Sequence, residues 1–162
     1  RWDEAFMRPG PERRVNWVYG DCYPASGMIE TPSHLPDAAP ELSMYAFDNH
    51  WSRTPAELRR YVLRIDGFAS YNATYALQKV VTKPFIFEGR ELSINFSTSA
   101  AGHVRIILRC GETVMNSCEL FGDSLDRRVA FEEGDLQRFS GQPVTMELEM
   151  SDADVYSFRF LP

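Results

Sequence analysis

The chain has 162 residues, a formal net charge of −6 at neutral pH and 44% hydrophobic residues. That is enough apolar material for a core, whereas the acidic balance argues against nucleic acid as a partner, because phosphates attract clustered Lys and Arg. No window approaches the roughly eighteen apolar residues of a membrane span, so we expect no membrane partner either.

The N-terminal third predicts a small β-sheet joined by proline-rich loops. Residues 26–30 are a short strand candidate, 42–47 alternate regularly between apolar and polar types, and 60–65 resume as a strand. The segment 31–40 holds three prolines and is expected to be a loop. A proline at a first helical position predicts one helical turn over 55–58. A lone small sheet with one apolar face is marginal in water, so it must pack against the C-terminal residues or against another body.

The stretch 64–71, with the sequence Arg-Ile-Asp-Gly-Phe-Ala-Ser-Tyr, predicts a corner between two different β units. We expect Gly67 to adopt a positive φ there, because glycine does so at little steric cost. The predicted domains are therefore a β-sheet segment over 1–63 and a β-sandwich over 64–162.

The remaining residues form short alternating apolar runs cut by turn residues. In the run 91–98, Leu92 and Ile94 are expected to face a core, and Ser93 and Asn95 are expected to face water. Such runs predict an all-β chain with a jelly-roll-like antiparallel sandwich. Single helical turns are predicted over 125–128 and 135–139. The predicted strands are 77–81, 83–87, 91–98, 103–110, 113–115, 127–131, 144–150 and 155–161.

Residue types that bind metals or form disulfides are sparse. Cys22, Cys110 and Cys118 are odd in number and lack Cys-x-x-Cys spacing. Cys110 and Cys118 fit either a disulfide across a hairpin or, preferably, two buried thiols. The three histidines lie far apart, and the Ser-Asp-Ala-Asp run at 151–154 is favoured as a solvated turn over half of a calcium loop. We therefore expect no metal and no cofactor.

No motif predicts catalysis by this chain alone. There is no Gly-x-Ser-x-Gly nucleophile motif. The spacing of Asp21, Glu30, Asp48 and Asp66 does not force any two carboxylates to face each other, as glycoside cleavage requires. Caps, turns and strand-edge charges account for these acids better.

Aromatic residues cluster in the N-terminal third among hydrogen-bonding groups. Flat rings beside polar groups suit sugars, whose C–H faces are apolar and whose hydroxyls are polar. The alternative is that half of these rings fill the seam between the sheet and the sandwich. The candidate carbohydrate-binding residues are Trp17, Tyr19, Asp48, His50 and Trp51.

Several stretches together carry a family resemblance: 64–70 (Arg-Ile-Asp-Gly-Phe-Ala-Ser), 82–85, 92–96, 102–106 and 154–158. In that order they resemble the C-terminal part of bacterial proteins related to the five-bladed β-propeller glycoside hydrolases of the invertase and arabinanase type. The resemblance implies that the segment before 64 is similar to a terminal propeller blade and that a β-sandwich comes after it.

The same resemblance places the catalytic carboxylates in earlier blades, and no residue of this chain matches their motifs. It implies a non-catalytic C-terminal portion that supports the propeller and holds carbohydrate, with Asp48 and His50 at the cleft. The alternatives are an independent carbohydrate-binding module with sugar stacked on Trp51 or Trp17, and a structural sandwich that docks another subunit. The expected partners are carbohydrate and either the rest of a larger propeller protein or another copy of the chain.

Overall fold

The computed structural model describes residues 6–7, 22–49 and 55–162. Within these ranges it contains antiparallel β-strands, one 3₁₀ turn and no α-helix, which confirms the predicted all-β, sandwich-like fold class. No helix in the described ranges has the length and apolar character needed to cross a membrane. The chain divides into two compact units, Arg1–Ile65 and Asp66–Pro162, beside the predicted boundary between 63 and 64.

The first unit contains a sheet built around one central strand. Its strands are β1 (Tyr23–Pro24), β2 (Ile29–Thr31), β3 (Glu41–Asp48) and β4 (Glu57–Arg64). β4 pairs antiparallel with the whole of β3, while β1 pairs with one end of β3 and β2 with the other.

Alternation along β3 and β4 gives this sheet two chemically different faces. One face, here called the aromatic face, carries Tyr23, Tyr45, Phe47 and Arg60. The opposite face, here called the aliphatic face, carries Leu42, Met44, Ala46, Asp48 and Leu63.

Two local predictions fail, one within the first unit and one at the start of the second. The helical turn over 55–58 is wrong, because β4 begins at Glu57 and pairs opposite Asp48. A single helical turn fixes several residues for one hydrogen bond, whereas eight consecutive pairs along β3 continue an existing ladder. The predicted positive φ of Gly67 is also wrong, since Asp66 takes the left-handed conformation instead (φ 55°). Aspartate is among the few residues besides glycine that tolerate it.

The second unit is organised by two long strands that pair with each other. Its strands are β5 (Tyr71–Ala73), β6 (Gln78–Val81), β7 (Phe85–Ile86), β8 (Glu91–Cys110), β9 (Thr113–Asn116), β10 (Asp123–Arg128) and β11 (Pro143–Leu161). β10 and β5 flank one half of the β8–β11 pair, and β9, β6 and β7 flank the other half.

The two halves meet at an irregularity where the sequence predicts a turn in each strand. Ser151 pairs with His103, but Ala153 pairs with Thr98, so residues 99–102 of β8 lie opposite Asp152. We call this irregularity the corner. Asp152 has a positive φ of 44°. The prediction of separate strands on either side of 99–102 and 151–154 is therefore wrong, because each long strand bends through the corner without ending.

The shorter elements of the second unit also depart from expectation in places. The helical turn over 125–128 is wrong, because Arg127 and Arg128 pair with β8 as part of β10. The turn over 135–139 is confirmed as a 3₁₀ helix over Leu136–Phe139, where the Asp135 side chain accepts a hydrogen bond of 2.9 Å from the Gln137 amide.

One core lies between the two halves of the second unit. It is lined by alternate residues of the long strands, which include Leu92, Ile94, Phe96, Val104, Ile106, Leu108, Met146, Leu148 and Met150. Ser93 and Asn95, predicted to face water, are also buried. Their polarity therefore marks the strand face opposite the core, but it does not mark exposure.

Candidate functional site

Of the five predicted carbohydrate-binding residues, Asp48 is the one that the described ranges include. Trp17, Tyr19, His50 and Trp51 lie outside those ranges, so their predicted role stays a prediction. The carbohydrate-binding role of Asp48 likewise stays a prediction, although the contacts of its carboxylate are defined.

Asp48 ends β3 on the aliphatic face and its side chain is buried. Arg59 on β4 donates from Nε to Asp48 Oδ2 at 2.7 Å. The hydroxyl of Tyr61 lies 3.4 Å from each carboxylate oxygen of Asp48. Arg59 also contacts Glu57 Oε2 through Nη2 at 3.1 Å, so one guanidinium bridges two carboxylates.

The electrostatics of this cluster favour fixed protonation states. Burial, followed by the negative charge of Asp48 and the nearby thiol of Cys22, raises the pKa of Tyr61. The hydrogen bond to Glu57, followed by the charge of Asp48, raises the pKa of Arg59. The cluster therefore presents a neutral phenol and a charged guanidinium over a wide pH range, which is typical of a structural ion pair.

The aliphatic face beside this cluster is covered only in part. A cavity of about 90 Å³ lies against it. Ala46 is the one described hydrophobic residue of the first unit that is buried. The cavity is lined by Phe6, Met7, Met28, Leu42, Met44, Tyr61, Val62 and Leu63.

The aromatic face exposes a row of large side chains across three strands. Tyr23 on β1 lies directly opposite Phe47 on β3, and Phe47 lies opposite Leu58 on β4. Their exposed fractions are 37%, 44% and 58%. Tyr45, two residues before Phe47 on the same face, lies opposite Arg60.

Arg60 forms a hydrogen-bonded network beside this row. Its Nε donates to Ser43 Oγ at 2.7 Å, and its Nη2 donates to Glu41 Oε1 at 2.6 Å and to Thr31 Oγ1 at 2.9 Å. Thr31 Oγ1 and Ser43 Oγ are themselves 2.7 Å apart. These contacts hold the guanidinium against the sheet through partners on two neighbouring strands.

Sequence reasoning missed this network. The alternation of 41–47 places Glu41, Ser43, Tyr45 and Phe47 on one face, and that signal is present in the sequence. The position of Arg60 above Ser43 depends on the register between β3 and β4, which becomes apparent only from the paired strands.

The second unit carries surface ion pairs. Lys79 contacts Glu147 at 2.8 Å and Glu149 at 2.5 Å. The hydrogen bond from Lys79 is the main reason that the pKa of Glu147 lies below its ordinary value. The run 151–154, for which a solvated turn is the favoured prediction, lies within β11. Its Asp154 accepts hydrogen bonds from Ser70 Oγ at 2.6 Å and from the side-chain amide of Asn72 at 3.1 Å.

Metal and cysteine chemistry is limited in the ranges that the structure describes. These ranges contain no group of three or more His, Cys, Asp or Glu side chains placed to hold a metal ion. Cys110 and Cys118 are thiols and do not form a disulfide with each other. The Cys110 thiol donates to Gln142 Oε1 at 3.3 Å. Cys110 is half-buried and Cys118 is exposed, so the expectation of two buried thiols is wrong.

No protein-family model, no curated protein and no solved structure matches the chain. The resemblance to propeller glycoside hydrolases therefore rests on the sequence stretches that carry it, such as 64–70 and 154–158.

Proposed function

We propose that this chain is a non-catalytic C-terminal portion of a glycoside-hydrolase-like protein, in which the sheet of the first unit packs against a larger β body. The observation that carries this proposal is the contrast in burial between the two units. The second unit encloses a continuous apolar core. In the described part of the first unit, Ala46 alone is a buried hydrophobic residue.

The aliphatic face is the surface that such a body would cover. Leu42, Met44 and Leu63 are only half-buried there, beside the cavity. Full burial of one such side chain contributes roughly 1.5–3 kcal/mol relative to full exposure. A sheet of this size gains little stability without such a partner, so a covering body would supply what the sheet lacks.

The Asp48 cluster supports the non-catalytic part of the proposal. Cleavage of a glycosidic bond needs one carboxyl group that stays protonated to act as a general acid. Asp48 and Glu57 instead share the guanidinium of Arg59. Because one guanidinium holds both carboxylates, the arrangement suits a strand-end brace and not two carboxyl groups that face each other across a substrate.

Sedimentation of the full chain tests the packing role. We expect concentration-dependent self-association, because the aliphatic face finds a second copy when its natural partner is missing. Met44→Gln should weaken that association, whereas Val114→Gln, an exposed apolar position of the second unit, should leave it unchanged. A monodisperse monomer at micromolar concentration that melts in one cooperative transition would contradict the proposal.

Hydrogen exchange gives an independent measurement of the same contrast. Amides of β3 and β4 should exchange much faster than those of the central residues of β8 and β11, since protection reflects the local free energy of opening. Equal protection in both units would argue that the first unit is stable without a partner.

Carbohydrate binding is the second candidate function, and one observation favours it. The exposed Tyr23–Phe47 pair lies on the same face as a network of hydroxyl, carboxylate and guanidinium groups. Rings beside fixed polar groups match the mixed apolar and polar surface of a sugar.

A further inference from the structure

We propose that the aromatic face of the first unit binds the flat side of a neutral saccharide chain, with Tyr23 and Phe47 as the stacking platform and Arg60 as the hydrogen-bonding edge. This inference rests on the carbohydrate-binding part of the proposed function and gives it a site. Asp48, the one predicted binding residue that the described ranges include, lies on the opposite face of the same sheet.

The platform results from the register of the strands. Residues directly opposite each other on antiparallel strands have Cβ atoms about 4.5–5.5 Å apart, so the Tyr23 and Phe47 side chains are neighbours. Both are partly exposed. Adjacent rings on a sheet surface offer a shallow apolar area of the kind that the C–H face of a pyranose or furanose ring can cover.

The polar network decides which kind of partner suits this face. A wholly apolar protein surface that covered it would also remove Arg60 and Glu41 from water, and such desolvation of an ion pair is costly. A saccharide replaces the lost water with hydroxyl groups that both donate and accept hydrogen bonds. The mixture of exposed rings and a charged pair on one face therefore favours sugar over an apolar protein surface.

Charge balance favours a neutral sugar over an acidic one. The guanidinium of Arg60 already contacts the carboxylate of Glu41 at 2.6 Å. A uronate would therefore have to compete with Glu41 for the same guanidinium. The bonds from Nε and Nη2 to Ser43, Glu41 and Thr31 fix the orientation of the guanidinium before any ligand arrives. Such preorganisation lowers the entropic cost of binding.

The test is titration of the full chain with soluble arabinan, levan and β-glucan as neutral probes and with polygalacturonate as the acidic probe. Phe47→Leu keeps an apolar side chain of similar reach but removes the flat ring. We expect the Kd for the best neutral probe to rise about tenfold, as for the loss of one stacking contact. Phe121→Leu is the matched control, because Phe121 is a more exposed ring (69%) in the second unit.

A second variant keeps the test decisive if Phe47→Leu disturbs the sheet. Arg60→Lys retains the positive charge but loses the planar fork that contacts Ser43 and Glu41, and it should weaken binding of the same neutral probe. Circular dichroism verifies that each variant keeps its strand content.

Three results would overturn the inference. They are unchanged affinity in both Phe47→Leu and Arg60→Lys, tighter binding of polygalacturonate than of every neutral probe, and no binding of any probe. The sedimentation test of the packing role uses Met44 on the other face, so its outcome is separate. Loss of the sugar site with self-association intact would remove this inference alone.

Discussion

Replacing Gly102 with alanine should strongly destabilise the second unit, because a Cβ atom there meets the backbone of the opposite long strand. A Cβ atom at this position would clash with the backbone carbonyl oxygen of Asp152 and lie 2.7 Å from that of Ser151. Real Cβ atoms do not approach backbone oxygens so closely. Both oxygens belong to β11 at the corner, so relief requires one long strand to move away from the other.

The loss of stability in Gly102→Ala depends on how far the clashing backbone atoms can move. Adding one methylene to a packed site costs typically about 1–3 kcal/mol. We expect the upper end, about 3 kcal/mol, because the contacts are with backbone and not with a side chain that could turn aside. For a unit of about 100 residues, each kcal/mol lowers the Tm by roughly 4–8 °C, so the Gly102→Ala transition should fall by about 12–24 °C.

Calorimetry and urea unfolding of the full chain measure this effect. Gly111→Ala is the control, because Gly111 has a φ of 58° but no atom within 4 Å of the added methyl group. It carries the conformational penalty of about 1–2 kcal/mol without the clash. If Gly102→Ala cost no more than Gly111→Ala, the close approach of β8 and β11 at the corner would be refuted.

Two pH-dependent predictions arise from the pKa shifts of Tyr61 and Glu147. The pKa of Tyr61 is raised in the folded state, so its contribution to stability is complete below the unfolded pKa near 10.0 and is lost as the pH rises above that value. Tyr61→Phe should therefore reduce the alkaline loss of hydrogen-exchange protection in β3 and β4. Tyr75→Phe, at an exposed position, should not change it. The lowered pKa of Glu147 means that its contribution is present above the unfolded value near 4.5 and is lost as the pH falls through the folded one. Lys79→Met should raise the pKa of Glu147 in a carboxyl NMR titration, and an unchanged value would show that the pair at 2.8 Å does not persist in solution.

The core residues of the second unit could be predicted because apolar residues alternate with polar ones along each strand. This alternation is visible in the sequence without knowing which strands pair. Leu92, Ile94 and Phe96 alternate with polar residues, and so do Met146 and Leu148, and all five lie in the core. A strand that buries one face must place its apolar residues at every second position. The signal is local, so sequence alone is sufficient.

The corner could not be predicted, because the residues that build it are those that end strands elsewhere. Glycine and aspartate mark turns in most sequences, so the pattern around Gly102 and Asp152 predicts two turns. Here Gly102 allows two backbones to approach, and Asp152 absorbs a positive φ within one continuous strand. Whether these residues end a strand or bend it depends on the strand paired with them, and that strand lies far away in the chain.

The proposed platform on the aromatic face could not be predicted from the sequence for the same reason. Asp48 and Phe47 are adjacent in sequence, yet alternation places them on opposite faces of β3, so they cannot line one shallow surface. The carboxylate of Asp48 forms an ion pair with Arg59, whereas Phe47 lies next to Tyr23 on the aromatic face. Because the two faces share strands but not side chains, a covering body on the aliphatic face would leave the aromatic face open. Support and sugar binding are therefore compatible in one small sheet, and a variant on either face reports on one role only.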